Sequence, residues 1–383
     1  MLRGNRYRIY PKKDQMIILE KHFCSYRFIF NKFLHYRETL YNKFKTSIPK
    51  VELDKQLTRL KEMYPFLKEI NSQSLQQANK DLDNAFDRFF NGLGKHPNKK
   101  SKKFHHYSFS VPQHYKISLS TSEIFLPKIG WIKVKFHRSL LDSSFKGIVE
   151  KDSIPEILRT LTVSKTPTGK YYVSILTDDQ TDYPPIQEFS HATMIGVDVG
   201  IKTFTACSNG ELIDHPKFLK ASLEKLKFLQ KNVSRKVIGS KNRSKAVKKL
   251  ALLHEKISNQ RHDFQHKVSK KLISENQAIA VETLNIKGMM RNHKLAQSIG
   301  DSAWYSFVLK LSYKAEQFGK TILKINQWEP SSKTCNVCGY HYSALTLIDR
   351  NWLCPSCDTF HDRDINAAIN IKNFALITVG RTD

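Results

Sequence analysis

An apolar strand with a carboxylate in its middle restricts this chain more than any other feature. Met194–Ile201 reads M-I-G-V-D-V-G-I, a run of apolar and β-branched residues suited to a strand buried on both faces. A lone carboxylate in such a strand costs several kcal/mol unless it is paired or bound to a cation. Gly196 and Gly200 flank Asp198, so taken alone the motif reads equally well as a strand-end aspartate capping a turn. It is not alone. Ile279-Ala280-Val281-Glu282 is a second apolar run ending in an acid, and His361-Asp362-Arg363-Asp364-Ile365-Asn366-Ala367-Ala368 opens a helix with another. Three acids, each entering from a separate apolar element, point to a divalent-metal site and demand a fold that gathers them.

A second metal signal is local. Cys335-x2-Cys338 is followed after fifteen residues by Cys354-x2-Cys357, the spacing that tetrahedral zinc requires. Gly339 allows a tight knuckle after the second ligand. Four protein ligands fill the coordination sphere, which predicts a structural rather than catalytic zinc. Cys207 and Cys24 stand apart and read as small buried residues. Asp362–Asn366 resembles the start of a calcium loop, but the sixth position is Ala367 where glycine is needed and the twelfth is Asn373 rather than Glu. Carboxylates with few other ligands suit Mg²⁺ or Mn²⁺, and two such ions about 4 Å apart can activate water and stabilise the leaving oxygen of a phosphodiester. No Ser-His-Asp set, nucleotide-binding glycine loop or Cys-His pairing competes.

Charge narrows the substrate. The 383 residues carry a formal charge of +28 and a pI near 9.7, a balance that favours a polyanionic partner, nucleic acid first. No apolar run approaches the roughly 18 residues of a bilayer span, no lipidation signature appears, and the basic start lacks the apolar stretch of a secretion signal. A cytoplasmic chain with reduced cysteines and no membrane partner is expected.

Along the chain, Tyr7–Tyr10 reads as a short strand before Pro11. From Asp14, Met16, Leu19, Phe23, Tyr26, Phe30 and Phe33 form an aromatic helical stripe. A helix follows over Leu53–Met63, and a clearer one over Ser74–Phe90, where Leu75, Ala78, Leu82, Phe86, Phe89 and Phe90 face one way. Its Gln76 and Lys80 lie on other faces; they are either solvated or placed to reach bases and phosphates. Gly94–Lys103 is a basic loop suited to phosphates. Period-two runs at Tyr115–Leu119, Ile124–Leu126, Trp131–Lys135, Leu161–Val163 and Tyr171–Leu176 predict a small β-barrel, with Thr166–Gly169 as a hairpin turn and Asp178–Pro185 as the linker out. Lys202–Cys207 and Glu211–Ile213 pair across Asn209-Gly210. Between Pro216 and Lys271 stand 17 Lys/Arg against three acids on two helices broken at Gly239-Ser240. A merely solvated face usually mixes signs, so a surface for a phosphate backbone is favoured. Asn292–Gly300 reads as a polar loop, and Trp304–Phe318 as a core helix.

The segments G-V-D-V-G-I-K-T-F (196–204), A-V-E-T-L (280–284), Pro330-Ser331-Ser332 before the cysteine quartet, and H-D-R-D-I-N-A-A-I-N-I (361–371) resemble the TnpB (OrfB) proteins of insertion sequences, RNA-guided DNA endonucleases related to type V CRISPR effectors. Arg6–Tyr10 with Pro11, Tyr26–Asn31 and Gly130-Trp131 are similar to the family's N-terminal landmarks. The resemblance implies a multidomain α/β protein. A RuvC-like nuclease domain with an RNase H-like fold is expected at 190–329 and 361–383, with a zinc ribbon at 330–360 that binds target nucleic acid. A helical recognition domain is expected at 11–110, and a wedge β-barrel at 1–10 and 111–185. Asp198, Glu282 and Asp364 match the family's catalytic, metal-holding acids; Asp364 is preferred to Asp362 because it stands two before Asn-Ala-Ala. The resemblance also implies a short motif beside the target, read by the helix bearing Gln76 and Lys80, and a guide RNA from the protein's own element. The implied activity is Mg²⁺-dependent two-metal hydrolysis of target DNA, with structural zinc at Cys335, Cys338, Cys354 and Cys357. The rivals are a DNA strand-transfer transposase on a related fold and a non-catalytic RNA-guided DNA-binding repressor.

Overall fold

The computed structural model describes residues 1–102, 107–140, 147–154, 156–346 and 348–380; Lys103, the end of the expected basic loop, lies outside them. The chain divides into two compact units, Met1–Asp182 and Tyr183–Asp383.

The first unit combines three helices with one sheet. Strand β1 (Leu2–Tyr10) leads into helix α1 (Lys13–Phe44), then α2 (Lys50–Met63), a 3₁₀ turn at Pro65–Glu69 and α3 (Ser72–Phe90). Leu19, Phe23, Tyr26, Phe30 and Phe33 are buried along one side of α1, as their spacing requires, whereas Met16 is exposed. Cys24 is also exposed and accepts a hydrogen bond from Arg27 Nη2 at 3.5 Å, a correction to its expected burial: it falls on the solvent side of the same helix. Helix α3 starts before Ser74 because the Asn71 side chain caps it, accepting from Gln73 N. The basic loop is pinned to α1, where Asn31 exchanges two hydrogen bonds with the Lys100 backbone.

Seven more strands complete the sheet: β2 (Tyr107–Val111), β3 (Lys116–Ser118), β4 (Glu123–Leu126), β5 (Gly130–Lys135), β6 (Ile148–Glu150), β7 (Leu158–Lys165) and β8 (Tyr171–Asp178). Their order is β2-β7-β8-β1-β5-β4-β3-β6, antiparallel throughout, with β2 and β6 at its edges among the described residues. Strand β1 runs nine residues, well beyond Tyr7–Tyr10, because β8 and β5 flank it. Alternation along β7 and β8 sends Leu161, Val163, Tyr171, Val173 and Ile175 into one core with the helices. Gly169 closes the β7–β8 turn at φ +85°, open to glycine at little cost.

The second unit is built on a five-stranded sheet. Strands β9 (Met194–Val199), β10 (Thr203–Cys207) and β11 (Leu212–Asp214) form an antiparallel meander turned at Gly210. Helices α4 (Phe218–Ala221), α5 (Leu223–Ser234) and α6 (Lys241–Glu275) lead to β12 (Ala278–Glu282), then α7 (Ile286–Met289), α8 (His293–Ser302), α9 (Trp304–Gln317) and β13 (Thr321–Ile325). The order is β11-β10-β9-β12-β13, with β12 parallel to both β9 and β13. A small antiparallel pair, β14 (Asn351–Leu353) and β15 (Phe360–Asp362), precedes the last helix, α10 (Arg363–Thr378).

Helix α8 corrects the loop expected at Asn292–Gly300. Asn292 caps it by accepting from Lys294 N, and Leu295 and Ile299, one turn apart, give it an apolar edge that a count of polar residues hides. Both faces of the central strands are covered. Ile195, Val197, Ile279 and Val281 pack with Val268, Leu272, Phe307 and Leu311 of α6 and α9. Met194, Ala278 and Ala280 pack with Ile371, Ala375 and Leu376 of α10. Among the described residues no helix is long and apolar enough to cross a membrane.

Candidate active site and metal centres

Strand parity brings the acids towards one another. Asp198 shares the parity of Met194 and Gly196, and Glu282 that of Ala278 and Ala280, so both lie on the sheet face covered by α10. Parallel β9 and β12 run side by side and end together, which sets the two acids at adjacent strand ends. Gly196 seats α10 directly on β9: a Cβ there would come within 2.0 Å of the Ala368 carbonyl oxygen. Asp364 lies one helical turn before Ala368, at the strand-end side of that contact.

The two acids at the head of α10 divide their work. Asp362 caps the helix, accepting from Asp364 N at 2.9 Å and Ile365 N at 3.0 Å. Asp364 is not used as the cap; its Oδ1 takes an ion pair from Arg350 Nη1 at 3.2 Å, and its charge acts on Asp198. Asp198 feels the whole group: burial first, then the charges of Glu282 and Asp364, push its carboxyl up to about 8, against a smaller opposing effect of Arg363. Burial also raises Glu282, while the Ser331 hydroxyl, donating to Glu282 Oε1, opposes that shift. Burial and the charges of the two neighbouring acids leave Asp198 short of a positive partner, a shortage that a hard divalent cation satisfies. Among the described residues, though, the four cysteines are the one group of three or more such side chains whose ligand atoms all lie within 4.8 Å of one another. The three carboxylates do not all reach that spacing, though the charges of Glu282 and Asp364 act on Asp198.

The ribbon is tighter. Cys335 and Cys357 Sγ lie 3.7 Å apart, and Cys338 and Cys354 Sγ 3.6 Å apart. Zn–S bonds of about 2.3 Å in a tetrahedron put sulfurs at nearly this spacing, so the quartet fits zinc. Burial pushes the Cys335 thiol up to about 11, whereas the Thr359 hydroxyl brings Cys357 down to about 6. Trp352 and Leu345 fill a small core against the cysteines, and His361 Nε2 lies 3.1 Å from Cys335 Sγ, in reach to donate to a thiolate. Cys207 is fully buried in the sheet core, as expected.

Gln76 and Lys80 are exposed one turn apart on α3 of the first unit, clear of its apolar stripe. In the second unit, α5 and α6 pack through Leu226, Leu253 and Ile257 and leave most of their lysines in solvent. Sequence reasoning missed the contact partners of the acids. Arg350 is an unremarkable arginine inside the ribbon. Ser331 stood in the Pro330-Ser331-Ser332 signal without a role.

The model of the OrfB_IS605 family, described as "Probable transposase", matches residues 175–293. A "Putative RNA-guided DNA endonuclease" of Streptomyces pristinaespiralis is 34% identical over 371 residues, covering 96% of this chain and 88% of that protein. The chain belongs to the OrfB (TnpB) family. A second relative, "Putative RNA-guided DNA endonuclease InsQ" of Escherichia coli (strain K12), is 27% identical over 387 residues, 97% of this chain and 91% of its own. The model "Cas12f1-like, TNB domain" matches residues 304–371, the stretch holding the quartet, and "Helix-turn-helix domain" matches 1–46. In the structure that last segment is β1 followed by one uninterrupted helix. The fold of this OrfB protein is similar to that in a cryo-EM structure of the Cas12f1–sgRNA–target DNA complex, with a TM-score of 0.51, 14% identity, and coverage of 97% of this chain and 99% of the other.

Proposed function

We propose that this OrfB protein is an RNA-guided DNA endonuclease that cuts with the aid of Mg²⁺ held by Asp198, Glu282 and Asp364. The observation that carries it is that Asp198 and Glu282 end adjacent strands on the face that α10 covers, while burial and the charges of Glu282 and Asp364 push Asp198 to about 8. The names of its relatives support the RNA-guided, DNA-cutting activity. The sheet order, an antiparallel meander continued by two parallel strands with helices on both faces, supports a RuvC-like, RNase H-like nuclease domain at 190–329 and 361–383, interrupted by the ribbon at 330–360. The eight-stranded sheet supports a wedge domain from 1–10 and 111–185, and α1–α3 a recognition domain within 11–110.

Bound magnesium would supply Lewis-acid stabilisation of the charge on the phosphodiester. The protein's part is to place the acids. Asp198 and Glu282 are fixed at strand ends, Asp364 by the first turn of α10, and Asp362 keeps that turn capped. Arg350 offers Asp364 a positive partner beside the cluster. The basic faces of α5 and α6 hold nucleic-acid backbone, and zinc keeps the ribbon folded. Gln76 and Lys80 meet base edge and phosphate of a short motif flanking the target, while base pairing to a guide RNA from the same element supplies the sequence.

The test is to purify the protein with RNA co-expressed from its element, sequence that RNA, and challenge the complex with matching DNA and Mg²⁺. Guide-dependent cutting that Asp198→Ala abolishes, with DNA binding retained, is expected. Strand-transfer products formed without RNA, or tight binding with no cutting, would overturn the proposal.

A further inference from the structure

Ser331 sits between the two metal centres. It follows β13 by six positions and precedes the first cysteine by four, within a turn in which Lys333 N and Thr334 N both bond the Pro330 carbonyl. It is 3% exposed, and its hydroxyl donates to Glu282 Oε1. Its backbone is not free to move. Asn370 Nδ2 donates to the Ser331 carbonyl at 2.8 Å and to that of Thr334 at 2.6 Å. One turn earlier on α10, Asn366 Nδ2 donates to Thr334 O at 2.8 Å, and its Oδ1 accepts from Asn336 N at 3.0 Å, inside the first cysteine knuckle. Both asparagines are buried, at 1% and 3% exposure. Residues 331–336 are therefore strapped to α10 at Ser331, Thr334 and Asn336, and the serine hydroxyl reaches Glu282 at the end of β12.

We propose that Ser331 is a positioning residue that transmits the fold of the cysteine ribbon to Glu282, so that zinc in the ribbon sets the affinity of the acidic cluster for its divalent cation. The proposal rests on the function given above and deepens it. A hydroxyl on one carboxylate oxygen fixes the Glu282 rotamer and leaves the other oxygen for a cation. Without that donor the side chain regains its rotamers among like charges, and the cation must supply the order itself. A bystander buried serine would affect folding alone; a positioning serine affects cation affinity, and does so only while the ribbon is folded.

The experiment is calorimetric titration of Mn²⁺ into the full chain with zinc in place and after its removal, for the natural protein, Ser331→Ala and Ser331→Thr, alongside the Mg²⁺ concentration giving half-maximal cleavage. Ser331→Ala should weaken Mn²⁺ binding about 10-fold or more and shift the Mg²⁺ requirement upward, with the maximal rate largely regained at saturating Mg²⁺. Ser331→Thr, which keeps the hydroxyl, should stay within about threefold of the natural protein. Zinc removal should weaken Mn²⁺ binding in the natural protein and add little in Ser331→Ala. Unchanged affinity in Ser331→Ala, or zinc and serine effects that simply add, would overturn the proposal while leaving the nuclease intact. A natural protein that neither binds Mn²⁺ nor cuts would overturn the nuclease assignment and this inference with it. Should Ser331→Ala fail to fold, Ser331→Thr and the zinc arm decide: Mn²⁺ affinity in the natural protein that ignores zinc overturns the coupling.

Discussion

The cysteine ribbon and the proposed acidic cation site are built in opposite ways. The ribbon closes over a few residues, and its sulfurs already stand 3.6–3.7 Å apart in pairs. The cluster draws Asp198, Glu282 and Asp364 from β9, β12 and α10; its three carboxylates do not all come within 4.8 Å of one another, and the charges of Glu282 and Asp364 oppose the ionisation of Asp198. Soft thiolates around a filled sphere make a fastener. Hard carboxylates, in the proposed nuclease site, suit exchangeable hard cations rather than a permanent fastener. Local chain spacing completes the first kind of site; the second depends on how accurately a sheet and a helix are docked.

That contrast can be broken at several points, in order of expected effect. Asp198→Ala should lower guided cleavage roughly 10³-fold or more, since metal assistance supplies several kcal/mol and each 1.4 kcal/mol is tenfold. Zinc content and DNA affinity should be unchanged, as read by metal analysis and a binding titration. Stripping zinc should do the reverse at first hand: amide exchange in 330–361 should rise sharply while β9 and β12 stay protected. Gly196→Ala should cost about 1–3 kcal/mol, because the new Cβ meets the Ala368 backbone and lifts α10. It should lower the melting temperature and cleavage together, with zinc still bound.

Acidity tests the same point from another side. Asp198 has a folded pKa raised from 3.8 to about 8, so folding takes up a proton between those values. Its contribution thus favours the folded state at low pH and is lost as pH rises towards about 8. Metal-free protein should lose thermal stability over that window, Asp198→Asn should flatten the trend, and Mg²⁺ should offset it most at the alkaline end. The smallest effect concerns the first unit. Lys80→Ala should weaken DNA binding modestly and lower the slope of log affinity against log salt by about one. An unchanged slope would remove Lys80 from the phosphate contacts.

The legibility of the two centres in the sequence follows from the same contrast. Cys335–Cys357 stood out because a ligand spacing is local; Asp198 and Glu282 stood out as acids within and at the end of apolar runs, and Asp364 as an acid opening a helix. Their geometry could be read only in part: parity placed Asp198 and Glu282 on a common face once β9 and β12 were known to pair. Arg350 and Ser331 escaped because a side chain's partner far along the chain leaves no mark in local pattern. Helix α8 escaped because polar composition masked a one-turn apolar pair, and β1 was underestimated because its length comes from β8 and β5 rather than from itself. Cys24 shows the limit of type-based burial: helical phase outweighs the residue's usual preference.

The ribbon leaves the sheet just after β13 and returns through β15 straight into α10. Its entrance and exit are therefore both fastened beside the acids, by Ser331 at one end and by Arg350 and Arg363 near the other. A change of length between those two ends would leave the acids where they are, whereas a change at either end would shift them.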